Sequence, residues 1–397
     1  MHRLIAIATV CVCWMLALGQ RPTDKLARYS LDFTLSQSDF VDSIAIEWSH
    51  GQVFLPVEIN GKRYRFLFDT GAGQSLIFND TPLTGCTPAG QIISVDAIGR
   101  RDTVQMTIMP PFTLGNTTFT GCKATVQRRA VRRSNIDGII GFDIIAKGLQ
   151  AKIDVNAGYL ILSDRKHFFD AEGGYETRYK LNYHVPYIVI NPFARYKEPT
   201  LFDTGSRQFY VINAQRLDDA LGGHSRLPGL RVDSRTIGRY AIGHSGAEPE
   251  GVVSFLTLVA MKWGDFIFSD VSVMTSQGGS HLGAAVLKYG AVVFNPLRRK
   301  VFFQPYNNGA FCNVSNQPLD IAFIAENGRP VVGLVREGSI PFQAGLRSGD
   351  TILSIDNRPV TSFHQFMVWP FLKGRTYQFT VRSREGQLHH VDWVRLP

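Results

Sequence analysis

The sequence predicts a mainly β protein of two similar lobes followed by a separate C-terminal α+β unit, and three observations carry that prediction. Past residue 40, apolar residues recur with period two in short runs: Ile44, Ile46 and Trp48; Val53, Leu55, Val57 and Ile59; Val104, Met106 and Ile108. That spacing belongs to strands buried on one face. The same plan occurs twice within the first 300 residues, offset by about 130 to 140, which marks a duplicated unit. Finally, QPYNNGAFCNVSNQP, from Gln304 to Pro318, has the Pro, Gly and Asn content of a linker and no apolar period.

Length and composition set the frame. A chain of 397 residues is long enough for two or three domains with sizeable cores. With 44% hydrophobic and 19% charged residues it is globular rather than disordered or collagen-like. The net charge of +9 favours acidic partners or anionic surfaces weakly and does not by itself indicate nucleic acid.

Taken in order, residues 1–19 carry Arg3, an apolar run from Leu4 to Leu18, and small residues at Ala17 and Gly19. This is the pattern of a secretory signal peptide. The run, about 15 residues, falls short of the roughly 20 needed to span a bilayer, and no later segment reads as transmembrane. Val10 and Val12 are bulky for a lipidation site at Cys11 or Cys13, so lipid anchoring is the lesser reading. Residues 20–43 form an N-terminal extension, 44–165 the first lobe, 166–305 the second, 306–317 the linker and 318–397 the last unit. Short helices are expected at Phe142 to Leu149, at Asn213 to Leu221 with Asn213 as cap, and at Ala284 to Tyr289.

The two copies align on their motifs. VFLPVEINGKRYRFLFDTGAGQSLIF and VPYIVINPFARYKEPTLFDTGSRQFYVI each place two β-rich runs ahead of Asp-Thr-Gly, at Asp69 and Asp203. A glycine turn follows in each, VDAIGRRD from Val95 and VDSRTIGRY from Val232. Each copy closes with a glycine, a short helix and a hairpin, in IIGFDIIAKGLQAKIDVNAGYLIL and HLGAAVLKYGAVVFNPLRRKVFF. Leu67-Phe68 and Leu201-Phe202 put each aspartate at the end of a buried strand, and duplication implies a pseudo-two-fold axis that brings equivalent residues together.

Two carboxylates within about 3 Å cannot both ionise easily, so they share a proton and titrate as a coupled pair. The ionised member can take a proton from water while the protonated one donates to a carbonyl oxygen. That hydrolyses an amide without covalent intermediate, metal or cofactor. Thr70 and Thr204 would hydrogen-bond across the axis, and Gly71 and Gly205 would let backbone amides approach the carboxylates.

On FLFDTGAG at Phe66 to Gly73, LFDTGS at Leu201 to Ser206, and Ile139-Ile140-Gly141, residues 44 to 305 resemble the pepsin-like and retropepsin-like aspartic proteases in a single-chain, two-lobed form. The resemblance implies retropepsin-like β-barrel lobes and an aspartic endopeptidase with Asp69 and Asp203 as its catalytic pair. It also implies polypeptide substrates; because each lobe supplies one Asp, a monomer can be active, and a dimer through other surfaces stays open. Ala72 matches the retropepsin branch and Ser206 the pepsin branch, both supporting the dyad. In two places the sequence departs from the pattern. His281-Leu282-Gly283 stands where two aliphatic residues and a glycine are usual, and no Tyr lies between Gly73 and Gly138. Gly99 could tip a flap over the cleft or an ordinary hairpin.

In the C-terminal unit Gly338-Ser339, Ala344-Gly345-Leu346, Gly349-Asp350 and the run Thr351 to Ile355 resemble a bacterial-type PDZ domain, with short helices expected after Ser339 and Thr361. The resemblance implies peptide capture at a sheet edge, although Pro318-Leu319-Asp320-Ile321 poorly matches a carboxylate-binding loop, and a packing role fits as well. Together with the signal peptide it points to a bacterial protein of the periplasm, the cell surface or the medium.

Other signals weigh less. Cys86 and Cys122, 36 residues apart, are candidates for a disulfide in an exported chain or for two buried thiols. Arg128, Arg129, Arg132 and Arg133 form a basic run suited to an acidic segment or to plain solvation. GAGQSL lacks the third glycine of a dinucleotide loop, GHSGA lacks the second glycine of a nucleophile elbow, and neither His nor Cys spacing fits a metal. The competing functional class is a non-catalytic periplasmic peptide-binding protein that grips extended chains in a protease-derived cleft, aided by the PDZ-like domain.

Overall fold

The period-two runs become strands where the pattern marks them. A computed structural model describes residues 31–96, 98–130, 135–194, 196–223, 227–243 and 246–394. The signal peptide, Cys11 and Cys13, Arg132 and Arg133, and His244-Ser245 of the GHSGA stretch lie outside them. The protein is mainly β, and both copies of the repeat fold with the same topology.

In the first copy Gln52–Ile59 pairs with Lys62–Asp69, which pairs in parallel with Gly138–Gly141; beyond it lie Leu76–Phe78, Lys123–Gln127, Arg101–Ile108 and Thr87–Val95. In the second, Val185–Ile190 pairs with Glu198–Asp203, which pairs in parallel with His281–Gly283. Tyr210–Asn213, Phe266–Ser276, Gly251–Trp263 and Leu230–Gly238 follow in the same order. The helices occupy their expected places, as Asp143–Ala146, as Ala214–Leu221 with the Asn213 side chain accepting from the Arg216 N–H, and as a 3-10 turn at Ala284–Lys288.

The lobes are joined by a shared antiparallel sheet rather than merely abutted. Val41–Ala45, Tyr159–Ser163 and Gln150–Asp154 come from the first half, and Gly290–Asn295, Lys300–Pro305 and Tyr175–Asn182 from the second. The register Ala151↔Phe294, Lys152↔Val293 and Ile153↔Val292 forms the seam. The hairpin that closes the first copy therefore hydrogen-bonds into the sheet of the second. Phe142, Phe202, Trp263 and Phe294 pack in edge-on and tilted pairs within one continuous core, with ring centroids 5.1–6.0 Å apart.

The last unit has its own core, built on Val332, Leu346, Ile352 and Phe379. Its sheet runs Ile321–Glu326, Arg329–Val335, Thr351–Ile355, Thr376–Arg382 and Leu388–Val394, with helices at Ile340–Gln343 and Phe363–Met367. The intervening stretch is fastened down: Phe311–Asn313 pairs with Phe266–Ser276, and Asn316 exchanges hydrogen bonds with both backbone groups of Ser272.

Three expectations are corrected. Cys86 and Cys122 are free thiols, as is Cys312. Their neighbours Thr87 and Lys123 both pair with Ile108, from opposite sides of one strand. Two strand spacings, about 9–10 Å, separate them, beyond the reach of about 7 Å for a disulfide. The second glycine turn is not a turn, because Val232–Gly238 lies inside the strand Leu230–Gly238 and pairs with Gly251–Trp263. Within the basic run, Arg129 is structural: it binds Asp80 at 2.9 Å, Thr81 Oγ1 at 2.9 Å and the Ile136 carbonyl, and lies over the Phe78 ring.

Candidate active site

Two buried apolar strands carry an aspartate to the centre of the molecule. Phe66, Leu67 and Phe68 anchor the first and Phe202 the second, so Asp69 and Asp203 are held where the chain turns. Gly71 N–H donates to Asp69 Oδ1 and Gly205 N–H to Asp203 Oδ1, each at 2.9 Å, and Ser206 N–H reaches Asp203 Oδ1 at 3.2 Å.

The turns interlock across the pseudo-two-fold axis. Thr70 N–H donates to Thr204 Oγ1 and Thr204 N–H to Thr70 Oγ1, both at 3.0 Å. The Thr70 hydroxyl donates to the Phe202 carbonyl and that of Thr204 to the Phe68 carbonyl, both at 2.6 Å. Both threonines are fully buried, so losing any of these bonds would strand a polar group away from water. Each glycine also backs onto the opposite acid: a Cβ on Gly71 would stand 2.6 Å from Asp203 Cγ, and one on Gly205 2.5 Å from Asp69 Cγ. The sequence-derived pair is thus brought together, with Thr70, Gly71, Thr204 and Gly205 in the roles assigned to them.

Ala72 and Ser206 serve the next layer. The Ala72 carbonyl accepts from Phe142 N–H, and the Ser206 carbonyl from Ala284 N–H, each at 2.8 Å. His281-Leu282-Gly283 takes the place of Ile139-Ile140-Gly141, since Gly141 pairs with Asp69 and Gly283 with Asp203. The histidine that departs from the aliphatic pattern borders the site. Its Nδ1 faces the Gly279 carbonyl at 3.2 Å, which fixes the proton there and leaves Nε2 to accept from the Ser206 hydroxyl at 3.1 Å. Burial pulls its pKa down from the usual histidine value, which disfavours the charged ring.

Gly99, at φ +80°, tips the hairpin between Thr87–Val95 and Arg101–Ile108. Ser94, Val95 and Asp96 line the same cavity as the aspartates. The tip reaches the other lobe, where Asp96 lies against Gly243 and Arg100 Nη2 donates to the Ala247 carbonyl at 2.9 Å. The opposing loop is wound around buried Glu248, which accepts from Tyr240 N–H, Ala241 N–H, Ser276 Oγ and Gln277 N–H.

Several site residues escaped sequence reasoning. Gln52 donates to the Gly205 carbonyl at 2.7 Å and accepts from Arg207 at 3.0 Å. Across the axis the Tyr183 carbonyl presses on Gly73. Tyr183 (φ 49°) and His184 (φ 65°) are left-handed, costing roughly 1–2 kcal/mol each for residues with a Cβ. Their turn projects a Tyr183 side chain 71% exposed in the cavity wall. Glu198 is fully buried, accepting from Ser280 and Tyr210, and desolvation raises its pKa.

Asp143 is the most consequential of these. It accepts from Ser75 N–H and from the Ser75 hydroxyl, both at 3.0 Å, and Ser75 Oγ accepts from Gly141 N–H. This network ties the loop after Asp69 to its parallel neighbour. Burial pushes the Asp143 carboxyl up to about 6. A raised acid pKa means that the folded state holds the proton more tightly, so stability rises as pH falls from above 6 to below the unfolded value of about 3.9. Relative to Asp143→Asn, the parent chain is expected to gain about 2–3 kcal/mol between pH 7 and pH 3.5. Denaturant melts of both chains at the two pH values check this, and identical pH responses would contradict it.

One cavity of about 1970 Å³ holds the pair. This exceeds the roughly 300–1,000 Å³ of a small-molecule pocket and suits a polymer. No curated protein sequence matches the chain. Among solved structures it is similar to basic 7S globulin from soybean, at 11% identity and TM-score 0.39, with 66% of this chain and 96% of that one covered. It is also similar to aspartic proteinase from Irpex lacteus, at 12% identity and TM-score 0.43, with 67% and 97% covered. The profile of a family described as aspartyl protease matches residues 55–144, which contain Asp69, its turn and the Gly138–Gly141 strand.

Proposed function

We propose that the chain is an aspartic endopeptidase that hydrolyses internal peptide bonds of extended polypeptides with water activated by Asp69 and Asp203. The observation that carries this reading is the reciprocal packing of the two turns, in which each glycine supports its own carboxylate and touches the opposite one. A pair so placed holds one proton between two acids. The ionised carboxylate takes a proton from bound water, the water oxygen attacks the carbonyl carbon, and the protonated carboxyl donates to the carbonyl oxygen. Collapse of the tetrahedral intermediate breaks the C–N bond, and the nitrogen leaves with a proton returned by the dyad. No cofactor enters, and since one chain supplies both acids a monomer suffices.

In this reading the hairpin around Gly99, whose sequence contains no tyrosine, is a flap over the substrate, and Tyr183 supplies an exposed ring in the cavity wall. The apolar run from Leu4 to Leu18 supports export to the periplasm, cell surface or medium of a bacterium, and the last unit serves as a PDZ-like peptide-binding domain. The test is incubation of the chain with an unfolded protein from about pH 3 to 8, a range that brackets carboxylate titration, with new termini identified by mass spectrometry. Internal cuts are expected. Tight binding of the polypeptide without any new terminus would favour the non-catalytic peptide-gripping class instead.

A further inference from the structure

The two copies of the repeat differ at the fourth residue beyond each aspartate, where Gly73 stands in the first and Arg207 in the second. The difference follows from what each position meets across the axis. Gly73 meets the turn Tyr183-His184, between the paired residues Asn182 and Val185, and the Tyr183 carbonyl leaves no room for a Cβ. Arg207 meets the corresponding turn His50-Gly51, between Ser49 and Gln52. Space is open there, since even a Cβ on Gly51 would stand 4.0 Å from Arg207 Cβ.

The residue after each turn differs in the same sense. Val185 packs near Gly73, whereas Gln52, its counterpart, donates from Nε2 to the Gly205 carbonyl at 2.7 Å and accepts at Oε1 from Arg207 Nε at 3.0 Å. An amide that donates at one end and accepts at the other holds the guanidinium in one orientation. Arg207 lines the cavity of the two aspartates, and its Nη1 and Nη2 have no acceptor among the described residues. Together they present the planar fork that matches a carboxylate. This polar pair exists on one side of the axis only.

The cavity wall supplies no acid for that fork. Outside the catalytic pair its cations are Arg128, Arg207 and Lys288, and its one carboxylate among the described residues is Asp96. Asp96 is engaged in its own turn, accepting from Ile98 N–H and Arg100 N–H. Crowding by the wall draws water from the Arg207 guanidinium and pulls its pKa below the usual arginine value, so the cation is partly desolvated and lacks a counter-ion. Gly205 backs onto Asp69, and one amide joins its carbonyl to Arg207 Nε. That span is at most about 8 Å, the length of roughly two residues of extended chain.

We infer that Arg207 is a specificity-determining residue that pairs through Nη1 and Nη2 with an acidic side chain, Asp or Glu, of the bound polypeptide, within about three residues of the bond to be cut. The preferred substrate is thus an extended chain with a carboxylate on one side of the cleavage point. This rests on the proposed function for the identity of the occupant, while the contact itself is made in binding and needs no catalysis.

The test uses the full chain carrying Asp69→Asn, so that peptides are not consumed, at about pH 6.5, where a glutamate side chain is ionised. The probes are labelled unstructured peptides of about 12 residues, some 40 Å extended, identical except for a single Glu walked through the central positions, each with a twin carrying Gln instead. At one position or more the Glu peptide is expected to bind at least about tenfold more tightly than its twin. With Arg207→Gln added, a substitution whose amide can still donate to Gln52, that ratio is expected to fall to about twofold or less, with folding confirmed by denaturant melts. Equal binding of the twins at every position would overturn the inference, as would a ratio that survives Arg207→Gln. Cleavage of the same peptides by the unsubstituted chain is read separately: a Glu preference in binding without any cut leaves Arg207 in its role and removes the catalytic reading, while cuts without a Glu preference do the reverse.

Discussion

Asp69→Asn and Asp203→Asn are each expected to lower kcat by at least about 10³-fold, and the double variant to be no slower than either alone. Asparagine keeps the side-chain shape and an oxygen that still accepts from Gly71 or Gly205, so the interlocked turns survive. What it removes is half of a shared-proton pair, after which neither an acid nor a base is available in the right place. Groups that act as a unit lose their whole contribution at the first substitution. Steady-state kinetics on the four chains, with folding confirmed by denaturant melts, reads both the size of the loss and its non-additivity. Losses that multiply in the double variant would mean two independent groups.

Gly205→Ala is expected to lower kcat/KM by more than about 100-fold although it removes no titratable group. A methyl group there would stand 2.5 Å from Asp69 Cγ, far inside contact distance. Relief would have to come from separation of the turns, and the four threonine bonds across the axis resist that separation. The carboxylates would move apart by a good fraction of an ångström, and misplacement of about 1 Å costs reacting groups about 100-fold. Gly71→Ala should do the same from the other side, with its Cβ 2.6 Å from Asp203 Cγ. Comparison of kcat/KM for Gly205→Ala with that of Ser206→Ala, a substitution without such a clash, checks the steric cause. Near-parental activity in Gly205→Ala would refute it.

Much of this site is legible in the amino-acid sequence because duplication writes it twice. Two Asp-Thr-Gly motifs behind buried apolar residues predict the pair, the axis and the threonine cross-bonds, and the structure places all of them together. The repeat misleads where its two copies share letters but not backbone. VDSRTIGRY looks like VDAIGRRD, yet its residues extend a strand because Val232–Gly238 finds a full-length partner in Gly251–Trp263. Asp143 with Ser75 was missed for the opposite reason. The equivalent positions of the second copy are Ala285 and Phe209, so symmetry argues against a functional pair there, although a polar pair facing an apolar pair at matched sites is itself a readable signal. Gln52 and Tyr183 could not be found from local pattern, since each acts across the axis on the other lobe's turn. The wall that the last unit adds to the cavity depends on docking through Arg239, Glu326 and Gly333, residues whose spacing in the chain carries no mark of their meeting.

The most direct test of the account is the pH dependence of kcat/KM for one internal bond of an unfolded polypeptide, from about pH 3 to 8, on the parent chain and on Asp69→Asn. A dyad that needs one ionised and one protonated member gives a bell-shaped profile in the parent chain, and both limbs disappear into background when Asp69 is replaced. A profile with the same limbs and the same height in the Asp69→Asn chain would contradict the claim that Asp69 and Asp203 act as one acid-base pair.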